Sequence, residues 1–317
     1  MYFIGIDLGG TNIATGIVDE TGKIIFKKSI KTGAGRHYSE IIADMAESCL
    51  SLCRENSISF DDIKGVGVGS PGTVQPETGV ITFANNLGFH NVPLKAELEK
   101  ILKKPVYVAN DANVAALGEV FFGAAKGYKF AAMITLGTGV GGGVVIDGKI
   151  YEGFNGGGPE IGHSIIKYDG KLCNCGRHGC LEQYASATAL VHQAKEAMLN
   201  NKDSLMWKLC EGNIDNLNPR IPFDASKQGD QTAMAVVDQY ITYISYGLTD
   251  LINIFQPEIV LIGGGVSGEG EYLLKPLREK TYVNCYGYAD GIKLGKIEKA
   301  MLGNDAGIIG AAALAMK

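Results

Sequence analysis

Between residues 163 and 180 the chain places one imidazole and three thiols, His163, Cys173, Cys175 and Cys180, in the spacing H-x₉-C-x-C-x₄-C. Four soft or borderline donors so close in sequence suit a tetrahedral Zn²⁺. Four protein ligands leave no position for a catalytic water, so the zinc this pattern implies is structural. A redox-active thiol group is the competing reading, but Cys-x-Cys is not the Cys-x-x-Cys of a thioredoxin-like site. His178 lies in the same loop and could replace one ligand. A zinc-bound imidazole keeps a second ring nitrogen, which as a donor can meet a hydroxyl or carboxylate. Glu160 and Glu182 flank the loop in "GPEIGH" and "CLEQYAS". With His163 they are the groups a polyhydroxylated ligand requires, although solvated loop charge accounts for either glutamate taken alone.

Two further groups of residues have types suited to phosphoryl chemistry. Asp7 stands just before Gly9, Gly10 and Thr11, and a second glycine turn, Gly137-Thr138-Gly139, recurs after another apolar run. A carboxylate beside phosphates repels them unless a divalent cation stands between, so Asp7 with this turn suggests a Mg²⁺-nucleotide. The alternative is that Asp7 caps a turn. The chain has no G-x-x-x-x-G-K-[ST]. "GTGVGG" fits G-x-G-x-x-G, but the residues after it alternate like a strand instead of opening a helix, which counts against a dinucleotide site. In "ANDAN", Asp111 stands at a strand's carboxyl end, where it could take the proton of an attacking hydroxyl while Asn110 holds that hydroxyl. Taken alone, the pair is better read as an Asx cap for the following helix.

The elements that must position these residues share one grammar. "YFIGIDLGGT" (2–11), "FAAMITLGTGVGGG" (130–143) and "IVLIGGGVS" (259–267) are short β-branched runs that end in glycine-rich turns. After the first two come alternating segments with "DETG" and "IDGK" as hairpin turns, which predicts two related halves. Ile41, Ile42, Met45, Cys49 and Leu52 recur at helical spacing, so Cys49 and Cys53 read as packing. Residues 231–255 predict a long apolar-striped helix stopped by Pro257. A strand from Pro105 to Ala109, a polar corner and a helix to about Phe122 are expected around Asp111. The tail predicts a final small-residue helix, and Cys210 and Cys285 are explained by packing.

Composition narrows the classes. The 317 residues allow one large domain or two ordinary ones. No basic leader and no apolar run of membrane length is present, so a soluble, cytoplasmic protein is expected. Seven cysteines, an odd and uneven set, then point to metal and not to disulfides. A formal net charge of -5 leaves no cationic excess for a nucleic-acid backbone, so neither nucleic acid nor membrane is expected as a partner. Glycine, 44 residues, is about twice its usual share and lies in discrete clusters between apolar runs, where chemistry is to be sought.

Together, "DLGGT", "SPG", "NDAN", "TLGTGVGGG", "GPEIGH", "CNCGRHGCLEQYAS" and "LIGGGVS" resemble the ROK family, most closely its bacterial glucokinases, over nearly the whole chain. The resemblance implies an α/β protein of the actin-like ATPase (ribonuclease-H-like) fold, with two α/β domains and a cleft between them. The small domain would span 1–112, completed by a C-terminal helix over 304–317, and the large domain with the zinc loop would span 113–303. The implied activity is ATP-dependent phosphorylation of the 6-hydroxyl of a hexose, glucose foremost. The alternatives are fructose, allose, N-acetylmannosamine or N-acetylglucosamine, or a non-catalytic sugar sensor. Asp111 would be the base. Gly72, Asn86, Asn110, Glu160, His163 and Glu182 would hold the sugar, and Asp7 the Mg²⁺. Gly9, Gly10, Thr11, Gly137, Thr138 and Gly139 would line the phosphates, with Gly263, Gly264 and Gly265 toward the adenosine. His163, Cys173, Cys175 and Cys180 would bind zinc. The family suggests a homodimer or homotetramer. Three positions depart from the family pattern: Asn12 where many relatives carry Lys, Pro159 where glucokinases usually show Gly, and Phe89 where Trp is usual.

Overall fold

The run YFIGIDL has hardly a polar position along it, as a strand covered on both faces requires. In the computed structural model, which describes residues 1–316, it forms β1 (Tyr2–Leu8), buried almost throughout. β1 pairs antiparallel with β2 (Asn12–Asp19), and β2 with β3 (Ile24–Lys31). The "DETG" turn closes the second hairpin: the Asp19 carboxylate accepts from the N–H groups of Thr21 and Lys23, and Gly22 has a φ of +83°. α1 (Tyr38–Glu55) buries Ile41, Ile42, Met45, Cys49, Leu52 and Cys53 in the core of this sheet. β4 (Ile63–Ser70) runs parallel to β1.

Next comes a small antiparallel sheet that the sequence pattern did not signal, β5 (Thr73–Val74), β6 (Ile81–Ala84) and β7 (Phe89–Val92). α2 (Leu94–Leu102) follows, then β8 (Val106–Asn110), parallel to β4, and α3 (Asp111–Phe122). The strand expected from Pro105 begins one residue later, since proline has no N–H to give the ladder.

The remaining elements are β9 (Phe130–Leu136), β10 (Val140–Ile146), β11 (Lys149–Ile150), α4 (Glu182–Ala185), α5 (Ala187–Asn200), α6 (Leu205–Leu209), α7 (Arg220–Lys227), α8 (Gln231–Phe255), β12 (Ile259–Gly263), α9 (Glu271–Tyr282), β13 (Lys296–Lys299) and α10 (Ala306–Leu314). The two large sheets have the orders β3-β2-β1-β4-β8 and β11-β10-β9-β12-β13. In each, the first strand of the set is central, with its hairpin partners on one side and two later strands on the other. The repeated strand-and-glycine grammar therefore corresponds to a repeated topology.

Two compact units result: residues 1–133, 143–159 and the stretch from Ala300 onward form one, and residues 134–142 with 160–299 form the other. α8 is the spine of the second unit. Asp230 caps its start, Gln256 in the left-handed region ends it before Pro257, and buried Tyr240 donates its hydroxyl to Ala185 O at 2.8 Å. No helix among the described residues is long and apolar enough to cross a membrane.

The helix expected over 304–317 is observed as a 3-10 turn, Gly303–Asp305, followed by α10; Lys317 lies outside the described residues. α10 packs on β1, β4 and α3 at backbone distance. A Cβ on Gly5 would stand 1.9 Å from Ile308 O, one on Gly67 1.7 Å from Ala311 O, and one on Gly310 1.8 Å from Val114 O. The chain entering this helix is also clamped. Glu119, fully buried on α3, accepts from the N–H groups of Met301 and Leu302 with one carboxylate oxygen and from Ala124 with the other. Gly67→Ala is expected to lower stability by about 2 kcal/mol or more, because the added methyl meets backbone and not a movable side chain. Urea unfolding measures this, with Gly268→Ala, whose Cβ would enter open space, as the control.

Candidate active site and metal loop

In the first unit, β4 lies between β1 and β8, so the carboxyl ends of three neighbouring strands carry the candidate residues. Asp7 is in register with Gly69, and the next residue of β4, Ser70, with Asn110. Burial, and then the charge of Asp111, push Asp7 from 3.8 up to about 6. Burial likewise raises Asp111, against the opposing pull of the Ala112 N–H, which donates to its Oδ1 at 2.8 Å, and of its own N–H. Buried carboxylates raised in this way, one of them also by the other's charge, are relieved by a proton or by a cation. The first turn of α10 presses on the same place, since a Cβ on Gly307 would lie 2.5 Å from Asp7 Oδ2.

The Asx cap read from the sequence is present, and it orders Asn110. Its Oδ1 accepts from Ala112 and Asn113 N–H at 3.0 and 3.2 Å, while its Nδ2 donates to Gly72 O at 3.2 Å. Gly72 has a φ of +88°, and a Cβ there would stand 2.0 Å from Phe83 O, so only glycine fits. Asn86 is exposed, and its backbone lies against the first glycine loop, with its carbonyl 3.3 Å from where a Gly10 Cβ would be. The first unit thus gathers Asn86 with Gly10, and Gly72 with Asn110 and Asp111.

Asn113 was not singled out from the sequence. It is buried, donates Nδ2 to Gly158 O at 3.0 Å, and has an Oδ1 with no hydrogen-bond partner. Its position three residues after Asn110, on the same helix face, was the available signal.

In the second unit the loop Gly137-Thr138-Gly139 closes on itself, Gly137 N–H donating to Gly139 O at 3.1 Å. Glu182 lies against it: Oε2 accepts from Val140 N–H at 3.0 Å, and a Cβ on Gly139 would fall 2.3 Å from that oxygen. A carboxylate has room for several donors, so this bond leaves acceptor capacity for a ligand hydroxyl. The third glycine run meets the start of the same loop: a Cβ on Gly264, at φ +80°, would be 2.4 Å from Leu136 O. Glu160 is exposed, and its carbonyl accepts from His163 N–H at 3.0 Å, fixing the turn that presents the histidine.

The metal loop brings its four donors together. His163 Nδ1 is 3.7 Å from Cys173 Sγ, Cys175 Sγ is 3.6 Å from Cys180 Sγ, and all four ligand atoms lie within 4.8 Å of one another. A Zn–S bond of about 2.3 Å makes a tetrahedral edge of about 3.8 Å, so the donors fit zinc in number, type and spacing. His178 is directed elsewhere, its Nδ1 bonding Gly170 O at 2.9 Å. The Arg177 backbone N–H, ahead of the neighbouring donors, lowers the Cys175 thiol, while burial raises Cys180. Gln183 Nε2 donates to Cys173 Sγ, and Arg177 donates to His163 O at 3.2 Å, supporting the ligands from outside.

Metal analysis of the purified protein is expected to find about one zinc per chain, and Cys175→Ser or chelation to lower the unfolding midpoint, because such binding is coupled to folding. For Asp7 the raised pKa means that its protonated form is favoured by folding. The stability it contributes is present below 3.8 and is lost as pH rises toward about 6. Asp7→Asn should therefore gain on wild type over that interval and hold the gain above it, in unfolding midpoints measured without divalent metal.

Comparison with known proteins places these features in a family setting. The family model described as "ROK family" matches residues 3–317. A glucokinase of Thermotoga maritima is 40% identical over 315 residues, 99% of this chain and 97% of its own. A glucokinase of Halalkalibacterium halodurans is 40% identical over 313 residues, 98% of this chain and 93% of its own. The crystal structure of a ROK glucokinase from Streptomyces griseus in complex with glucose and AMPPNP superposes with a TM-score of 0.85 at 36% identity, covering 100% of this chain and 99% of that one.

Proposed function

This chain belongs to the ROK family, and we propose that it transfers the γ-phosphoryl group of ATP to the 6-hydroxyl of a hexose, glucose first. Its fold is the actin-like ATPase fold of the ROK sugar kinases. The observation that carries the reading is the placing of Asp7 and Asp111 at the carboxyl ends of β1 and β8, on either side of β4 and beside the first glycine loop, with both carboxylates raised. A site for a neutral ligand has no need of two carboxylates that repel; one that handles a hydroxyl proton and a metal-bound polyphosphate does.

Asp111 accepts the proton of the sugar 6-hydroxyl as that oxygen attacks the γ-phosphorus. The new O–P bond forms, the bond to the bridging β,γ-oxygen breaks, and ADP leaves. Asn110, held by Gly72 O and by its own helix, aligns the hydroxyl, with Gly72 and Asn86 as further sugar contacts in the first unit. Glu160, His163 and Glu182 are the sugar contacts of the second. Gly9, Gly10, Thr11, Gly137, Thr138 and Gly139 line the phosphates through loop N–H groups other than those of Gly9 and Gly137, which bond Asn12 O and Gly139 O, and Gly263, Gly264 and Gly265 adjoin the adenosine. Mg²⁺, held through Asp7, supplies charge neutralisation of the phosphates. Zinc at His163, Cys173, Cys175 and Cys180 supplies no chemistry and holds the loop that presents His163 and Glu182.

A coupled ADP-release assay with Mg²⁺-ATP across glucose, mannose, fructose, allose, N-acetylglucosamine and N-acetylmannosamine is the test. Glucose is expected to give the highest kcat/KM, and Asp111→Asn to lose at least about 100-fold. Because the base works ionised, activity falls as pH drops through the raised pKa of Asp111, so the acid limb lies above the ordinary aspartate range. A different preferred sugar would correct the substrate, and an Asp111→Asn enzyme within a few-fold of wild type would remove Asp111 as the base.

A further inference from the structure

Each of the two candidate phosphate loops has a threonine hydroxyl on one of its carbonyls. Thr32, fully buried just after β3, donates Oγ1 to Gly9 O at 2.6 Å and its own N–H to Thr11 O at 3.0 Å. Thr188, in the first turn of α5, donates Oγ1 to Thr138 O at 2.8 Å, and its neighbour Ala187 donates N–H to Gly137 O at 2.8 Å. The two loops lie in different units, and their threonines come from unrelated elements, one from a strand's end and the other from a helix's start. The same device has been reached twice by different routes.

The consequence follows from the peptide bond. In a planar trans peptide the C=O and the next N–H point in opposite directions. A hydroxyl that holds the Gly9 carbonyl turns the Gly10 N–H the other way. A hydroxyl on the Thr138 carbonyl does the same for Gly139 N–H, and the Ala187 bond does so for Thr138 N–H. Glycine peptides otherwise rotate with little resistance, and a ligand that had to order them would bind more weakly by that cost. A rotated plane would also present a carbonyl oxygen to an anion.

We propose that Thr32 and Thr188 are positioning residues that set the peptide planes of the two phosphate loops from behind, so that their N–H groups stand ready for the nucleotide. The inference rests on the phosphoryl-transfer reading above and extends it to two side chains that it does not use. A merely structural role would make the same bonds matter for folding and not for nucleotide.

Isothermal titration of wild type, Thr188→Val, Thr188→Ser, Thr32→Val and Thr32→Ser with Mg²⁺-AMPPNP, alongside unliganded unfolding midpoints, separates the two. Each Val variant is expected to bind the nucleotide about five- to tenfold more weakly, the loss of one hydrogen bond, and each Ser variant to recover to within about twofold. Thr188 is exposed, so Thr188→Val should keep its unfolding midpoint and carries the test if buried Thr32→Val does not fold. Wild-type nucleotide affinity in folded Thr188→Val overturns the inference and leaves the phosphoryl-transfer reading standing. A weakened Thr188→Val that Ser does not rescue also overturns it. Wild-type protein that binds no Mg²⁺-nucleotide overturns the phosphoryl-transfer reading itself, and this inference with it.

Discussion

The distance between α10 and the first sheet is the constraint on which the rest of the first unit depends. Gly5 and Gly67 on the strands, and Gly310 on the helix, bring backbone against backbone, with no side chain between to give way. The same helix touches Asp7 through Gly307 and the first turn of α3 through Gly310, so the end of β1 and the start of α3 are referred to one rigid body. Packed interiors deform little. The relation of Asp7 to Asp111 is therefore set by main-chain geometry, and Glu119 completes it by gripping the chain at Met301 and Leu302, where it enters the helix.

A fixed relation has an electrostatic cost. Burial raises the proton affinity of both carboxylates, and at Asp7 the charge of Asp111, which cannot move away, adds to it. The cost is useful if a cation and a proton are to be handled there, since a base is most effective when its pKa lies near the working pH. Asn12, exposed at the start of β2, gives the first loop an amide and no cationic side chain. If phosphates are bound there, charge neutralisation must come from a cation and from oriented N–H groups.

Much of this was legible in the sequence, for reasons that can be named. Strand, glycine turn and hairpin recur because two sheets of one topology need the same local chemistry twice, and "DETG", "IDGK" and the 231–255 periodicity each write a local rule into a few neighbouring residues. The His163, Cys173, Cys175 and Cys180 cluster was legible because all four residues sit in one loop. The strands β5, β6 and β7 were not: they are short, and their pairing is a tertiary matter that leaves no periodic mark. Nor was the bond from Glu182 to Val140, or those from Thr32 and Thr188, because each joins residues more than twenty positions apart through one side-chain atom. Asn110 shows the opposite case. The ordinary cap and the positioned amide looked like rivals in sequence, yet a single side chain does both, with its oxygen on the helix and its nitrogen on Gly72.

In the second unit, residues 180–188 tie together what sequence presents as separate motifs. Cys180 belongs to the metal group, Glu182 meets Val140, Ala187 meets Gly137, and Thr188 meets Thr138. The stretch is held at its start by Leu181 N–H on Ser164 O at 2.8 Å and further along by Tyr240 on Ala185 O. A segment held at its start and middle is thus also bonded three times to one loop. A metal bound by this group would have a reach beyond its own ligands. By fixing Cys180 it would fix where α4 begins, and hence where Glu182 and the start of α5 can stand. Glu182 and the loop Gly137-Thr138-Gly139 are then joined by direct bonds, so whatever orders Glu182 also bears on that loop.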